Sequence, residues 1–136
     1  MATTQVEVVS PDRTLFSGEA EMVACRTVDG EIAFLADHTP LIGALAPCMV
    51  RIIAEGGASE VVFVVAGGFV EVSDNKVILL ADRAESPEDI DVAGARSDLS
   101  QAEERLSSGD ADDAPAARAA QRYAEARIEA AGTRAS

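Results

Sequence analysis

A chain of 136 residues is long enough for one compact core with a small appendage, but too short for two ordinary domains. Lys and Arg total 11 against 24 Asp and Glu, which gives a formal net charge of -13. This negative charge argues against binding of nucleic acid or anionic lipid through the bulk surface. The sequence has neither an apolar run of about 18 residues nor the features of a signal peptide. We therefore expect a cytoplasmic protein without direct membrane insertion.

The first 86 residues show the short patterns of β-strands. Val6 and Val8 alternate with polar neighbours, and turn-forming residues from Ser10 to Arg13 then interrupt the pattern. Asp29-Gly30 and Asp74-Asn75 predict tight turns. Further strands are predicted at residues 15–16, 22–28, 32–35, 48–54, 60–72 and 77–81. Many short strands without helical crossovers predict an all-β sandwich or barrel with antiparallel strands.

The predicted strand at residues 60–72 differs from the others because its apolar run, VVFVVAGGFV, is nearly continuous. Such a run indicates burial on both faces of the strand. The Gly67-Gly68 pair inside the run predicts a bulge or a close approach of two backbones.

The composition changes at Ser86-Pro87, where helical periodicity replaces strand alternation. Ser86 suits an N-cap and Pro87 the first helical position, so an amphipathic helix is predicted over about 87–106. After a polar turn, a second helix is predicted from Asp113 or Ala114 to about Ala131. We therefore expect a β-sandwich domain over residues 1–86 and an antiparallel helical hairpin over residues 87–136.

The hairpin is expected to be detachable because its second apolar stripe is nearly all alanine. Each alanine buries little surface, at roughly 25 cal/mol per Å². Gly94 inside the first predicted helix costs about another 1 kcal/mol relative to alanine. The stripe residues are Val92, Ala95, Leu99, Ala102 and Leu106 on the first helix, and Ala117, Ala120, Ala124, Ile128 and Ala131 on the second.

The sequence offers no catalytic constellation. The single histidine, His38, lies in a predicted loop without a serine or cysteine elbow, so a triad cannot be assembled there. Cys25 and Cys48 lie in apolar surroundings, and we expect buried free thiols, the alternatives being a disulfide or a metal site. We expect no enzymatic activity, no cofactor and no metal. His38 is either a hydrogen-bonding surface residue or a partner contact.

Two arginines four residues apart, Arg118 and Arg122, share one face of the second predicted helix. They form either a solvated face, paired with Glu125 or with acids of the first helix, or a contact to phosphate or carboxylates of a partner.

Six segments together resemble the epsilon subunit of the rotary ATP synthase. GEIAFLADHTPLIGAL at residues 30–45 is similar to that family's pattern GEIGxLPGHxPLxxxL. Five further segments match family habits in the same order. They are VVSP at 8–11, FSG at 16–18, GGFVEV at 67–72, LAD at 80–82 and AEERL at 102–106.

The resemblance implies a non-catalytic rotor subunit, peripheral on the cytoplasmic face of the bacterial plasma membrane. The implied partners are the gamma subunit and the c-ring, and the alpha and beta catalytic subunits when the helices extend and inhibit ATP hydrolysis. The implied rotor contacts are Ser10, Glu31, Ile32, Ala33, Phe34, Asp37, His38 and Thr39, of which residues 31–34 approach the ring and Ser10 and His38 the gamma side. The implied contacts to the catalytic subunits are Arg118, Arg122 and Arg127.

Some bacterial members of that family bind ATP in the folded hairpin, and this chain matches their pattern only in part. Gly94 and Gln101 stand where the pattern has arginines, and each lost guanidinium removes a contact worth about 1.5–3 kcal/mol. The resemblance therefore implies weak or absent ATP sensing. The matching residues are Ile90, Asp91, Arg118 and Arg122.

The alternative to the family interpretation is a stand-alone β-sandwich module that binds a ligand. Aromatic residues make up only 4% of the chain and tryptophan is absent, so the sequence offers little material for stacking a sugar or a base.

Overall fold

The computed structural model describes residues 2–133. Residue 1 and residues 134–136, which the predicted domain ranges include, lie outside the described part. Ten strands precede two helices. The strands are Thr4–Val9 (β1), Thr14–Ala20 (β2), Met22–Thr27 (β3), Gly30–Leu35 (β4), Leu41–Leu45 (β5), Cys48–Ile53 (β6), Glu60–Val65 (β7), Gly68–Ser73 (β8), Lys76–Ala81 (β9) and Ala84–Glu85 (β10). The helices are Val92–Ser107 (α1) and Ala114–Ala131 (α2), with 3-10 turns at Glu55–Gly57 and Pro87–Asp89.

The strands form two layers that pack face to face. One layer has the order β10, β7, β6, β3, β4, and the other has the order β5, β8, β9, β1, β2. The layers join where Thr27 of β3 pairs with Leu45 of β5. The described strand pairs are antiparallel except for β1 with β9. The predicted all-β sandwich followed by two helices is confirmed, although β5 and β10 were not predicted as separate strands.

The predicted strand at residues 60–72 is two strands, β7 and β8, which belong to different layers. In β7, Phe63 packs in the core between the layers while Val64 packs under the helices, so burial on both faces is correct there. In β8, Val70 is buried but Phe69 is exposed, so the same prediction is wrong for β8. The helices contact β6 and β7 and leave the outer face of β8 uncovered.

The chain crosses from one layer to the other at Gly67-Gly68, and the predicted close backbone approach is confirmed. Gly68 has φ +134, and a Cβ there would lie 1.9 Å from the carbonyl oxygen of Leu80. Because a backbone oxygen cannot move aside as a side chain does, only glycine fits this position.

The sandwich has two ends that carry different loops. At one end, Gly68 pairs with both Leu45 and Ala81, and we call this the Gly68 end. At the other end, Asn75 lies in the turn between β8 and β9, and we call this the Asn75 end. β1 begins at the Asn75 end and finishes at the Gly68 end.

Helix α1 begins later than predicted, because a 3-10 turn and an extended residue precede it. Ser86 makes no side-chain cap, and Asp91 instead accepts a hydrogen bond from the Gly94 N–H at 3.0 Å. Ile90 between them is extended and its side chain is buried. Gly94 therefore lies in the first turn, where a Cβ would come within 2.6 Å of Asp91 Oδ2. Its predicted cost inside the helix does not apply, because glycine makes room for the cap.

The two helices run antiparallel. Asp98, early in α1, contacts Arg127, late in α2. Arg105, near the end of α1, contacts Asp113, which directly precedes α2. Helix α2 begins at Ala114, as predicted. The predicted stripes are buried at Ala95 and Ala102 of α1 and at Ala117 and Ala124 of α2, and their other members are partly buried. Helix α2 also has a second buried face that the sequence analysis missed. That face holds Ala126 and Ala130, which pack against the β6 and β7 layer.

No helix in residues 2–133 combines the length and the apolar character that a bilayer crossing requires.

Candidate functional site

The predicted rotor contacts do not form one patch. Ser10 follows β1 at the Gly68 end, whereas His38 lies in the loop after β4 at the Asn75 end. At roughly 3.3 Å per residue, the six residues of β1 separate these ends by about 20 Å. One partner can therefore contact both residues only if it spans the length of the sandwich.

Strand β4 presents its predicted contact residues alternately to solvent and to the core. Glu31 and Ala33 are exposed, and Glu31 forms an ion pair with Arg26 of β3 at 2.8 Å. Ile32 packs partly against the core, and Phe34 is completely buried. The predicted direct contact of the Phe34 side chain with a partner therefore does not fit this structure.

Phe34 instead helps to hold the loop that carries His38. The His38 ring meets the Phe34 ring edge-on, with centroids 4.9 Å apart. His38 Nδ1 lies 2.7 Å from the Thr39 carbonyl oxygen, which fits the tautomer that carries its proton on Nδ1. Asp37 has φ +59, and its N–H donates to Asn75 Oδ1 at 2.8 Å. Asp37 and Thr39 remain exposed on a loop with a defined shape.

A group of exposed apolar side chains was not predicted. It lies on the outer face of the layer that contains β5, β8 and β9. We call it the outer β face, and it comprises Val28, Ile42, Phe69 and Leu80, each between 47% and 76% exposed. Ala44 pairs with Phe69, Phe69 pairs with Leu80, and the Val28 N–H donates to the Ala44 carbonyl, so Val28, Phe69 and Leu80 lie close together. Ile42 lies two residues before Ala44 on β5 and pairs with Glu71, which adds a carboxylate to this face. Alternation in the segment GFVEV contained the signal, because Phe69 must face away from the buried Val70.

The arginines of α2 lie in different environments. Arg118 and Arg122 are exposed and form no ion pair with any residue in 2–133, so pairing with Glu125 or with acids of α1 is absent there. Arg122 and Glu125 line one side of an open cleft of about 720 Å³ between α2 and the β3, β4 and β6 strands.

The residues of the predicted nucleotide site do not converge around this cleft. Of the four, only Arg122 lines it. Ile90 is buried in the apolar cluster under α2, and Asp91 is occupied as the cap of α1. The described arrangement therefore offers no assembled site for ATP.

Arg127 lies at the junction between the hairpin and the sandwich, where its side chain is only 13% exposed. Its Nε is 2.9 Å from Glu85 Oε1, and its Nη1 donates to Asp98 Oδ2 at 3.3 Å. The Tyr123 hydroxyl donates to Glu85 Oε1 at 2.7 Å. In this conformation Arg127 contacts its own sandwich, so its predicted contact with a catalytic subunit requires release of the hairpin. The sequence analysis missed Glu85, Asp98 and Tyr123, because none belongs to a recognisable motif.

The pKa of Tyr123 reflects this junction. Burial, the hydrogen bond to Glu85 and the charge of Glu85 raise the pKa of the phenol to about 12, against the opposing effect of Arg83 and Arg127. Both guanidinium groups lie over the tyrosine ring, at 5.1 Å for Arg83 and 5.5 Å for Arg127.

Both cysteines are buried and unbonded, as predicted. Burial, and secondarily Cys48, raises the pKa of Cys25 to about 12, and burial also raises the pKa of Cys48. Such thiols are poor nucleophiles at neutral pH. In the described part of the chain, no group of three or more His, Cys, Asp or Glu side chains is placed to hold a metal ion.

Two family models match consecutive parts of the chain. One, described as ATP synthase, Delta/Epsilon chain, beta-sandwich domain, matches residues 3–87. The other, described as ATP synthase, Delta/Epsilon chain, long alpha-helix domain, matches residues 88–132. The ATP synthase epsilon chain of Desulforudis audaxviator is 49% identical over 109 residues, which are 80% of this chain and 78% of that relative. The epsilon chain of Shouchella clausii is 44% identical over 122 residues, 90% of each chain.

Solved structures that resemble this chain are also chains of ATP synthases. A chain in the cryo-EM structure of the Euglena gracilis mitochondrial ATP synthase, OSCP/F1/c-ring in rotational state 1, aligns with TM-score 0.80 and 26% identity over 96% of this chain and 82% of that chain. A chain of the Tetrahymena thermophila mitochondrial ATP synthase central stalk and c-ring shares the fold, with TM-score 0.51 and 14% identity over 62% of this chain and 67% of that chain. These matches favour the ATP synthase over a stand-alone ligand-binding module. The chain therefore belongs to the ATP synthase epsilon-chain family, as a structural or regulatory subunit rather than the catalytic one.

Proposed function

We propose that this protein is the central-stalk subunit that connects the gamma subunit to the c-ring, and that its hairpin inhibits ATP hydrolysis. The observation that carries the proposal is the outer β face, which lies on the layer opposite the hairpin. We further propose a peripheral location on the cytoplasmic face of the bacterial plasma membrane, with residues 1–86 as the rotor-binding domain and 87–136 as the regulatory domain.

The outer β face is the proposed contact to the gamma subunit. Large exposed side chains that adjoin one another mark protein interaction sites, because burying them in an interface removes apolar surface from water. The helices contact β6 and β7, so they leave this face free whether the hairpin is docked or released. The anchored loop with Asp37, His38 and Thr39 borders the same layer at the Asn75 end and is proposed to extend the contact.

The exposed residues of β4 are the proposed contact to the polar loops of the c-ring. Glu31 and Ala33 point away from the core, and the Glu31 side chain is 79% exposed. Its ion pair with Arg26 lies in water, where such pairs contribute only about 0–1 kcal/mol. Glu31 can therefore exchange Arg26 for a group of a partner at little cost. Torque then passes through packing and ion pairs, without any bond made or broken in this subunit.

Inhibition is proposed to require release of the hairpin from the sandwich. Arg118 and Arg122 are exposed and form no ion pair within residues 2–133, so their guanidinium groups are available to carboxylates of the alpha and beta subunits. We propose that ATP does not control this release strongly, because Ile90, Asp91, Arg118 and Arg122 line no common cleft.

Binding to the gamma subunit tests the first half of the proposal. Phe69→Asp places a charge in the outer β face, and we expect a loss of gamma binding of at least about tenfold. Ala119→Asp is the control, since Ala119 is an exposed residue of α2 and lies away from both proposed rotor contacts. An equal loss of gamma binding in both variants would contradict the proposed location of the interface.

ATP hydrolysis tests the second half. The catalytic complex without this subunit would be titrated with the full chain and with a chain that ends at Ser86. The residues of the core between the layers all precede residue 86, so we expect the shortened chain to keep its fold and its binding. Only the full chain should inhibit. If the shortened chain binds and inhibits equally well, the hairpin is not the inhibitor.

A further inference from the structure

The apolar contact that holds the hairpin on the sandwich is smaller than the core between the layers. Two of its four buried members are alanines, which bury little area each. The buried members are Val64, Ile90, Ala126 and Ala130, and the partly buried Met49, Val62, Val92, Tyr123 and Ala131 pack against them. Apolar packing alone therefore holds α2 on the sheet less strongly than the two layers hold each other.

The polar groups beside this contact connect all the elements that would separate. Arg127 extends from α2 to Glu85 on β10 of the sandwich and to Asp98 on α1. Tyr123, one helical turn before Arg127, donates its hydroxyl to the same Glu85 carboxylate. Arg83, from the turn between β9 and β10, lies over the tyrosine ring. Two cations and one carboxylate thus contact the tyrosine, and Asp98 joins them through Arg127.

One contact in this cluster, between Arg127 and Glu85, has geometry that weakens the attachment of the hairpin to the sandwich. Arg127 Nε is buried and lies at ion-pair distance from Glu85 Oε1, but the geometry is not that of a hydrogen bond, and that oxygen already accepts the Tyr123 hydroxyl. The Arg127 and Glu85 side chains are 13% and 25% exposed, whereas that of Asp98 is 60% exposed. Removing Arg127 or Glu85 therefore leaves the other charge poorly hydrated, and the imperfect geometry limits what the pair contributes. The cluster can therefore hold the hairpin and still release it.

We propose that Glu85, Asp98, Tyr123 and Arg127 form a latch whose strength sets the equilibrium between the docked and the released hairpin. We call it the Arg127 latch. The docking equilibrium is a property of the isolated chain. Only its regulatory consequence rests on the proposed function, since a released hairpin is the form proposed to inhibit ATP hydrolysis.

The chain carries its own probe for this equilibrium. Tyr123 is the single tyrosine and tryptophan is absent, so near-ultraviolet fluorescence comes from the latch alone. Release exposes the ring to a neutral quencher such as acrylamide and ends its hydrogen bond to the carboxylate. A urea titration of the full chain would follow tyrosine emission for the hairpin and the NMR amide signals of buried strand residues such as Val70 and Leu79 for the sandwich.

Glu85→Gln and Arg127→Gln each remove one charge and leave its partner desolvated. We expect the equilibrium constant for release to rise about tenfold in each variant, with the tyrosine transition at lower urea and the sandwich transition unchanged. Because the two side chains act on each other, the double variant should lose less than the product of the single effects. Arg96→Gln is the matched control, since Arg96 is an exposed residue of α1 and should leave both transitions in place.

Three outcomes would overturn the latch. The tyrosine transition does not move in either variant, or it moves together with the sandwich transition, or the two substitutions combine independently. An unmoved tyrosine transition would mean that apolar packing alone holds the hairpin. A tyrosine transition that moves with the sandwich transition would mean that the two regions unfold as one cooperative unit. Independent effects of the two substitutions would mean that Glu85 and Arg127 do not act together.

Inhibition of ATP hydrolysis separates the latch from the proposed function. If the latch restrains the inhibitory form, Glu85→Gln should inhibit at lower subunit concentration; Glu85 gives the cleaner test because Arg127 is also an implied contact to the catalytic subunits. If Arg127 instead binds a catalytic subunit and has no role in docking, Arg127→Gln weakens inhibition while release stays unchanged, and the latch is overturned. If release increases in both variants without any change in hydrolysis, the latch stands and the inhibitory role of the hairpin fails.

Discussion

Between the two β layers, the largest fully buried side chains are phenylalanine, leucine and a series of valines, whereas the contact under the hairpin relies on alanine and on a polar cluster. Large branched side chains interdigitate across the sandwich, so separating the layers would expose much apolar surface at once. The hairpin contact exposes far less when it opens. The same chain therefore contains one region that opens only by global unfolding and another that can open locally.

The difference fits the two tasks that we propose for this protein. A rotor clamp must transmit force without deforming, which requires a close-packed core. A regulatory element must change partners, which requires a contact whose free energy is small enough to be overcome by new interactions. The predictions below test this division, beginning with the largest expected effect.

Phe34→Ala should destabilise the whole chain by about 3–5 kcal/mol, because it leaves a cavity in the core between the layers. Urea unfolding followed by circular dichroism would measure the loss. Phe69→Ala is the matched control, since Phe69 is exposed on the outer β face and should change the free energy of unfolding by less than about 1 kcal/mol. Equal losses would mean that the core does not dominate stability.

Gly68→Ala should lower the free energy of unfolding by at least about 3 kcal/mol, because backbone strain and a collision with the Leu80 carbonyl act together. Gly30→Ala separates the two effects. Gly30 has φ +126, but a Cβ there meets nothing within 4 Å, so only the strain of about 1–3 kcal/mol remains. If both variants lose the same free energy, the close approach at Gly68 contributes nothing.

Ala130→Asp should release the hairpin while the sandwich stays folded. Ala130 is fully buried in the contact under α2, and a carboxylate there would lose its hydration without gaining a partner. We expect acrylamide to reach Tyr123, with the sandwich transition shifted by less than about 0.5 kcal/mol. Ala119→Asp, on the exposed side of α2, should change neither observable. Coupled unfolding of both regions in Ala130→Asp would refute the independence of the hairpin.

The smallest effect concerns alkaline pH. The folded chain raises the pKa of Tyr123 from its ordinary value of 10.0 to about 12, so the folded state holds the phenolic proton more tightly than the unfolded state. This contribution to docking is complete below about pH 10 and is lost as the pH rises through 12. Near-ultraviolet absorbance of the single tyrosine would give the midpoint, which should fall in Glu85→Gln. A midpoint near 10 in the folded chain would show that the phenol is not held by the junction.

Among the residues proposed to contact the rotor, the sequence indicated the correct segments but not every exposed side chain. The family resemblance implied the contacts of Glu31 and His38, and alternation along β4 agrees with the exposure of Glu31. Phe34 was assigned to the same surface, but its side chain lies in the core and supports His38 from below. The outer β face was missed because it combines residues of four segments that become neighbours only through strand pairing.

The start of α1 shows why the boundary of an element is harder to predict than its existence. Both Ser86 and Asp91 are suitable N-cap residues, and the neighbouring sequence does not indicate which of them precedes the helix. Burial of Ile90 under α2 holds its backbone extended and delays the helix to the second cap. A contact between distant residues thus decided a local feature.

The sequence by itself determined most of the strands, several of the turns that join them and the existence of the two helices, because each depends on residues close together in the chain. It also determined the family through segments that match in order. Only the tertiary structure decided that Arg127 contacts Glu85 and Asp98 instead of solvent, and that the apolar face of the sandwich lies opposite the hairpin. Those features arise from contacts between residues 29 and 42 positions apart or from strand order, which no local pattern encodes.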